Sequence, residues 1–232
     1  MKLHGPIKGI FFDIGWTLVQ PRSGDWMFSS FARQYFPQDK LDNDRARAAM
    51  KEGSAYLDSH HLLSTIEEEE ALFYRYYAGI SAALPELGLT DEDVRKVAKE
   101  QVTYIDPYQV YPDAIPTLQA LKGKYKLGII SDTWPSIVPR MEAYGLREFF
   151  GCVTYSYTLG VYKPHPKMYA DALGKMGLPP EQTVFVDDFT GNLEGARAAG
   201  IQPVLIQAKP GAQDTDSMVK IKKISDLLVT LP

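Results

Sequence analysis

The stretch Phe11-Phe12-Asp13-Ile14-Gly15-Trp16-Thr17-Leu18 decides how the rest of the chain is read. An apolar run beginning at Ile7 ends in a single acidic residue, Asp13. A short run rich in Ile and Phe reads as a buried strand. Asp13 then stands at the strand's carboxyl end, where parallel sheets bind ligands. Two residues on, where a second carboxylate could stand, the chain has Gly15.

Four more runs read as buried strands: Tyr125 to Ser131, Cys152 to Tyr155, Thr183 to Asp187 and Pro203 to Ile206. Helical patterns lie between them. Asp113 is placed to cap a helix through Leu121 that stops near Gly123. Pro135 to Tyr144, Pro166 to Met176 and Asn192 to Ala199 each run into a glycine, at Gly145, Gly177 and Gly200. Glycine is the expected C-terminal stop. Strand and helix in alternation predict an α/β fold, a parallel sheet covered by helices.

The interval from about 20 to 106 differs, with no convincing strand. Arg45 to Tyr56 is helical, Ser64-Thr65-Ile66-Glu67 reads as a capping box opening a helix through about Ala83, and Asp91 to Ile105 is a third helix. Acidic Glu67 to Glu70 suits a helical first turn. The expected organisation is a core formed by residues 1–19 and 107–232, with residues 20–106 inserted as an all-helical cap.

The chain has 232 residues, 45% of them hydrophobic, and a formal charge of −4. That balance argues against a nucleic-acid binder, whose footprint is basic. Lys220 to Lys223 is the densest basic stretch and reads as a solvated strand edge. The lone Cys152 has no internal disulfide partner and suits core packing in a reducing compartment. With no signal-peptide pattern and no apolar stretch of membrane-spanning length, the expectation is a cytoplasmic protein without a membrane partner.

The expected strand ends gather Asp13, Ser131, Asp132, Asp187 and Asp188, with Asn192 beyond and Lys163 between a strand and a helix. These parts suit phosphoryl transfer. A carboxylate can attack phosphorus. Mg²⁺ takes oxygen ligands, commonly one or two carboxylates plus phosphate, and Asp13 and Asp188 can serve. Lys163 and Ser131 can hold the remaining phosphate oxygens.

In order and spacing these motifs resemble the haloacid dehalogenase-like hydrolase superfamily. Its first motif matches Phe11 to Leu18, its second Leu127 to Ser131, its third Lys163-Pro164-His165-Pro166, and its fourth Val184 to Asp188 followed by Asn192 to Gly200. The resemblance implies a Rossmann-like sheet of order 3-2-1-4-5. It implies Asp13 as nucleophile, with Mg²⁺ held by Asp13, the Gly15 carbonyl and Asp188, and Asp187 assisting. Ser131, Asp132, Lys163, Thr17 and Trp16 would meet phosphate or substrate, and Asn192 would orient Lys163. The implied substrate is a small phosphorylated metabolite.

Many phosphatases of the family carry Asp where this chain has Gly15, so another proton carrier is expected: Asp132, Asp187 or water. Some members with Gly at this position are thought to be sugar-phosphate phosphatases. Three alternatives remain open: a haloacid dehalogenase, which needs no metal; a phosphonate hydrolase, with Lys51 as a Schiff-base lysine; and a non-catalytic domain binding a phosphorylated ligand or partner. Trp16, Trp26 and Trp134 read as packing between cap and core or as a substrate wall. His60 and His61 read as a surface pair, and His165 as a helix-start residue. Arg33, Tyr74 and Arg75 are further candidates for substrate selection. Gly191, Gly195 and Gly200 have the wrong spacing for a nucleotide loop and read as helix-start and helix-end residues.

Overall fold

The computed structural model describes residues 2–209 and 211–231. It divides into two compact units. One comprises Met1–Gln20, Gln109–Thr133 and Met141–Pro232; the other comprises Pro21–Tyr108 and Trp134–Arg140.

The first unit is built on a six-stranded parallel sheet. Its strands are β1 (Gly9–Phe12), β4 (Lys126–Ser131), β5 (Cys152–Tyr155), β6 (Thr183–Asp187), β7 (Gln202–Ile206) and β8 (Val219–Ile221), ordered β5-β4-β1-β6-β7-β8. Counted along the chain within this sheet, that order is 3-2-1-4-5 with one added edge strand. Two further strands, β2 (Val19–Pro21) and β3 (Tyr108–Val110), pair separately. β8 is short for a strand, and its outward residue, Lys220, is exposed and paired with Asp214 and Asp216. Charge and shortness both blunt a sheet edge.

β1 lies between β4 and β6, and every residue in it is buried. Phe11 and Phe12 are fully enclosed, and truncating either to Ala would cost about 3–5 kcal/mol. Its register sets Phe12 beside Ile129 of β4 and Val186 of β6. The carboxyl ends of three adjacent strands are thereby aligned, carrying Asp13, Ser131 and Asp187. Gly128 permits this closeness, since a Cβ there would lie 2.7 Å from Cys152 Sγ and 3.0 Å from the Phe11 ring.

Four helices outside residues 21–108 stop where glycine appears; the second of them divides between the two units after Arg140. Ala114–Leu121, Ile137–Ala143, Pro166–Met176 and Thr190–Ala198 are followed by Gly123, Gly145, Gly177 and Gly200, all with positive φ. Two details depart from expectation. The Asp113 side chain does not cap its helix; it accepts the Ser225 N–H (2.8 Å) instead. Gly195 lies mid-helix rather than at an end, because a Cβ there would come within 2.7 Å of both Pro164 and the Tyr169 hydroxyl.

In the second unit the long helices are Asp44–Ser59, Ile66–Ala83 and Asp91–Thr103. Asn43 caps the first; Thr65 with Glu68 and Thr90 with Asp93 form capping boxes on the others. The Thr65 box stands one residue later than the sequence pattern placed it. Phe28, Phe36, Phe73, Tyr76 and Tyr77 fill this unit's aromatic centre. No helix among the described residues is long and apolar enough to cross a membrane.

Candidate active site

Past β1 the chain coils tightly. The Asp13 N–H donates to the Val186 carbonyl (2.9 Å), still in the register of the sheet. The Ile14 carbonyl then accepts from Leu18 (2.9 Å) and Val19 (3.1 Å), and the Trp16 N–H returns to the Val19 carbonyl (2.7 Å). This turn holds Trp16 at φ 55, an uncommon conformation for a bulky residue. Thr17 is fully enclosed, and its hydroxyl is buried with no hydrogen-bond partner among the described residues.

Lys163 organises the centre. Its side chain is 1% exposed, and its ammonium donates to Asp13 (2.8 Å), Asp187 (2.7 Å) and the Ile130 carbonyl (3.2 Å). All three ammonium hydrogens are therefore used. The Lys163 backbone N–H donates to Asp132 (2.9 Å). Asp187 is fully buried and also accepts the Phe189 N–H (2.8 Å) and the Asn192 amide, which reaches both carboxylate oxygens (3.0 and 3.2 Å). Asn192 thus acts on Lys163 only through Asp187, rather than directly. The Tyr169 hydroxyl donates to the Asn192 carbonyl (2.6 Å) and steadies that helix.

Asp13, Asp187 and Asp188 are all buried, and each offers an oxygen within 4.8 Å of the others. Burial pushes the Asp13 carboxyl up, Lys163 opposes that, and Asp187 and Asp188 add to the rise. Burial lifts Asp188 as well. Burial disfavours the Lys163 ammonium too, but Asp13, Asp187 and Asp132 outweigh it, so Lys163 lies above its ordinary value. Three hard oxygen donors crowded in one buried place, with the Asp13 and Asp188 carboxyls lifted by desolvation, fit a divalent cation of the Mg²⁺ type.

Of the expected site residues, Asp13, Lys163, Asp187 and Asn192 form one hydrogen-bonded network, and Asp188 joins Asp13 and Asp187 in the acidic group. Ser131 is buried at the end of β4, the strand beside β1. Asp132 is exposed and retains one oxygen outside its bond to Lys163. Gly15 stands in the turn, bridged to Val19.

Two contributors had no sequence motif. Ser156 Oγ accepts the Thr133 N–H (2.8 Å) and fixes the chain just past Ser131 and Asp132. Lys209, three residues past the end of β7, pairs with Asp188. Its position beyond a strand's carboxyl end was the one available signal.

Other candidates settle elsewhere. Trp26 packs on Tyr108, and Trp134 on His61 and Phe73, all within the helical unit. His61 is buried, not a surface residue, and desolvation lowers it to about 4. His60 is exposed and stacks on Tyr56. His165 caps its helix, accepting the Lys167 N–H (3.2 Å). Arg33 is paired with Asp25 and Tyr74 with Asp91, whereas Arg75 lies over Tyr56 beside a cavity of about 640 Å³ within the helical unit. Lys51 is exposed on its helix. Cys152 packs against the core, and burial raises its thiol, as suits an inert side chain.

The model of the haloacid dehalogenase-like hydrolases matches residues 7–200. The chain belongs to this family. Among curated members, it is 28% identical over 225 residues to glyceraldehyde 3-phosphate phosphatase of Methanothermobacter thermautotrophicus, covering 92% of each chain. It is 33% identical over 128 residues to the protein of that name from Methanopyrus kandleri, a match spanning 50% of this chain and 53% of that one. A solved 2-haloacid dehalogenase from Pseudomonas syringae superposes with a TM-score of 0.67 at 21% identity, over 97% of this chain and 98% of that one. That likeness speaks to the fold; membership in the family makes the chain a hydrolase.

Proposed function

We propose that this hydrolase is a Mg²⁺-dependent phosphatase that removes phosphate from a small metabolite through an aspartyl-phosphate on Asp13. The acidic group of Asp13, Asp187 and Asp188 carries this reading. A haloacid dehalogenase works without metal and leaves such a group without a task. Two curated relatives bearing phosphatase names support the same choice. The helical unit serves as the cap that selects substrate.

Asp13, Asp188 and the Gly15 carbonyl would hold Mg²⁺, with Asp187 beside it. When bound, the ion would neutralise phosphate charge and draw it toward Asp13. Asp13 Oδ1 is tied to Lys163, leaving its other oxygen to attack phosphorus as the P–O bond to the leaving alcohol breaks. The Ser131 hydroxyl binds a phosphate oxygen, and Lys163 exchanges one of its three present acceptors, Asp13, Asp187 or the Ile130 carbonyl, for another. Water then attacks phosphorus, and the Asp13 carboxylate leaves.

The leaving alcohol needs a proton, and Gly15 has none to give. General acid help is typically worth about 10²–10⁴-fold. Asp187 is a poor shuttle, since Lys163, Phe189 and Asn192 hold its oxygens. Asp132 is exposed with one oxygen spare, and we assign it the proton, with water as its partner.

The test is phosphate release from glyceraldehyde 3-phosphate and other small phosphate esters, with Mg²⁺ and with excess chelator. Release that needs Mg²⁺ supports the reading. Release undiminished by chelator removes the metal, and halide release from a 2-haloacid without phosphate release replaces the phosphatase by a dehalogenase.

A further inference from the structure

We infer that Lys209 is a built-in competitor for the cation site: its ammonium holds Asp188 until a divalent ion takes that carboxylate. The inference rests on the metal-dependent reading above. Asp188 belongs to the buried acidic group, and among the described residues Lys209 is its hydrogen-bond donor.

The two lysines of the site differ in how they are held. Lys163 is 1% exposed and bonded to Asp13, Asp187 and the Ile130 carbonyl. It is enclosed and held at three points. Lys209 has a side chain 26% exposed and Asp188 as its partner. It can leave by rotation into solvent, where a lysine ammonium is well hydrated.

A cation entering the group must share Asp188 with Lys209 or displace it. Sharing sets like charges against each other on one carboxylate, and displacement breaks a charge-assisted bond. Either way Lys209 weakens metal binding. In return it neutralises Asp188 in the metal-free protein, where Lys163 is bonded to Asp13 and Asp187 of the same acidic group. Lys209 is thus a positioning residue that sets the metal concentration at which the site fills.

The test is calorimetric titration of MgCl₂ alone into the chelator-treated, dialysed full-length protein, with no substrate present. Lys209→Met should bind Mg²⁺ about ten-fold more tightly than wild type, the size expected when a hydrogen bond to a charged group no longer has to be broken. Its metal-free form should melt lower, and Mg²⁺ should restore it. Lys209→Arg should return affinity to the wild-type range. Equal or weaker binding by Lys209→Met overturns the inference, as does Lys209→Arg binding as tightly as Lys209→Met. If wild type and Lys209→Met both bind and bind alike, Lys209 loses its role while the metal-dependent reading stands. If neither binds Mg²⁺, both fall together.

Discussion

In the α/β unit, Asp13, Asp187 and Asp188 are buried side by side around Lys163; in the helical unit, Glu69 and Arg140 are buried with Ser136 between them. The helical set is closed. Glu69 accepts the Ser136 N–H and hydroxyl (both 2.7 Å). Arg140 donates to Ser136 Oγ (2.9 Å), Tyr108 (3.1 Å) and the carbonyls of Tyr104 (3.1 Å) and Gln101. Two opposite charges meet through one hydroxyl, and each of the three Arg140 guanidinium nitrogens donates. The α/β set has more anions than cations and keeps carboxylate oxygens spare. A buried charge network that is satisfied internally holds structure; one left with surplus anions is prepared for a ligand that completes it.

That contrast can be broken in four places. The largest effect belongs to Asp13→Asn, which should lower turnover by more than about 10³-fold while circular dichroism and melting temperature hold. Unchanged phosphate release would remove Asp13 as nucleophile. Next, Arg140→Ala should cost about 3–5 kcal/mol of stability in urea unfolding, because Glu69 is left buried without its cation. Mg²⁺ should not repair that loss, since the helical set offers no metal site, and repair by Mg²⁺ would contradict the distinction between the two networks.

A smaller effect concerns pH. Burial lifts Glu69 from 4.5 to about 7, against the opposing bonds from Ser136 and the charge of Arg140. A carboxyl whose folded pKa is raised favours the folded state below 4.5 and loses that contribution as pH rises through about 7. The neutral isostere Glu69→Gln escapes this loss. Relative to wild type it should gain stability across that window, on the order of 3 kcal/mol. A difference constant with pH would show that Glu69 stays charged throughout. The smallest effect is Asn192→Ala, which frees Asp187 and should weaken Mg²⁺ affinity by about ten-fold; wild-type affinity would show that Asp187 needs no such support.

Five strands of the main sheet and most helix ends were legible because their signals are local: apolar runs of strand length, and glycine where a helix must turn left-handed; the three-residue strands β2 and β3 are too short to give such a run. That Asp13, Ser131 and Asp188 stand at strand ends was legible because neighbouring parallel strands share one carboxyl edge. Glu69 was not. It lies within four consecutive glutamates, and only tertiary packing distinguishes the one turned inward toward Ser136 from its exposed neighbours Glu67 and Glu68. His61 was misread for the same reason, since Trp134, which encloses it, lies far along the chain. Lys209 carries no pattern at all; its partner is set by where β7 ends beside β6. Gly195 was taken for a helix end because its real cause, the approach of Pro164 and Tyr169, is likewise non-local.

The most direct test of the surplus-anion site is to mix the protein with Mg²⁺ and a reactive small phosphate ester, quench in acid, and weigh the intact chain. A phosphoryl group on wild type, mapped to Asp13 and lost in Asp13→Asn or when chelator is added first, is the result this account predicts. Rapid phosphate release with no phosphoryl group on Asp13 at any quench time would contradict it.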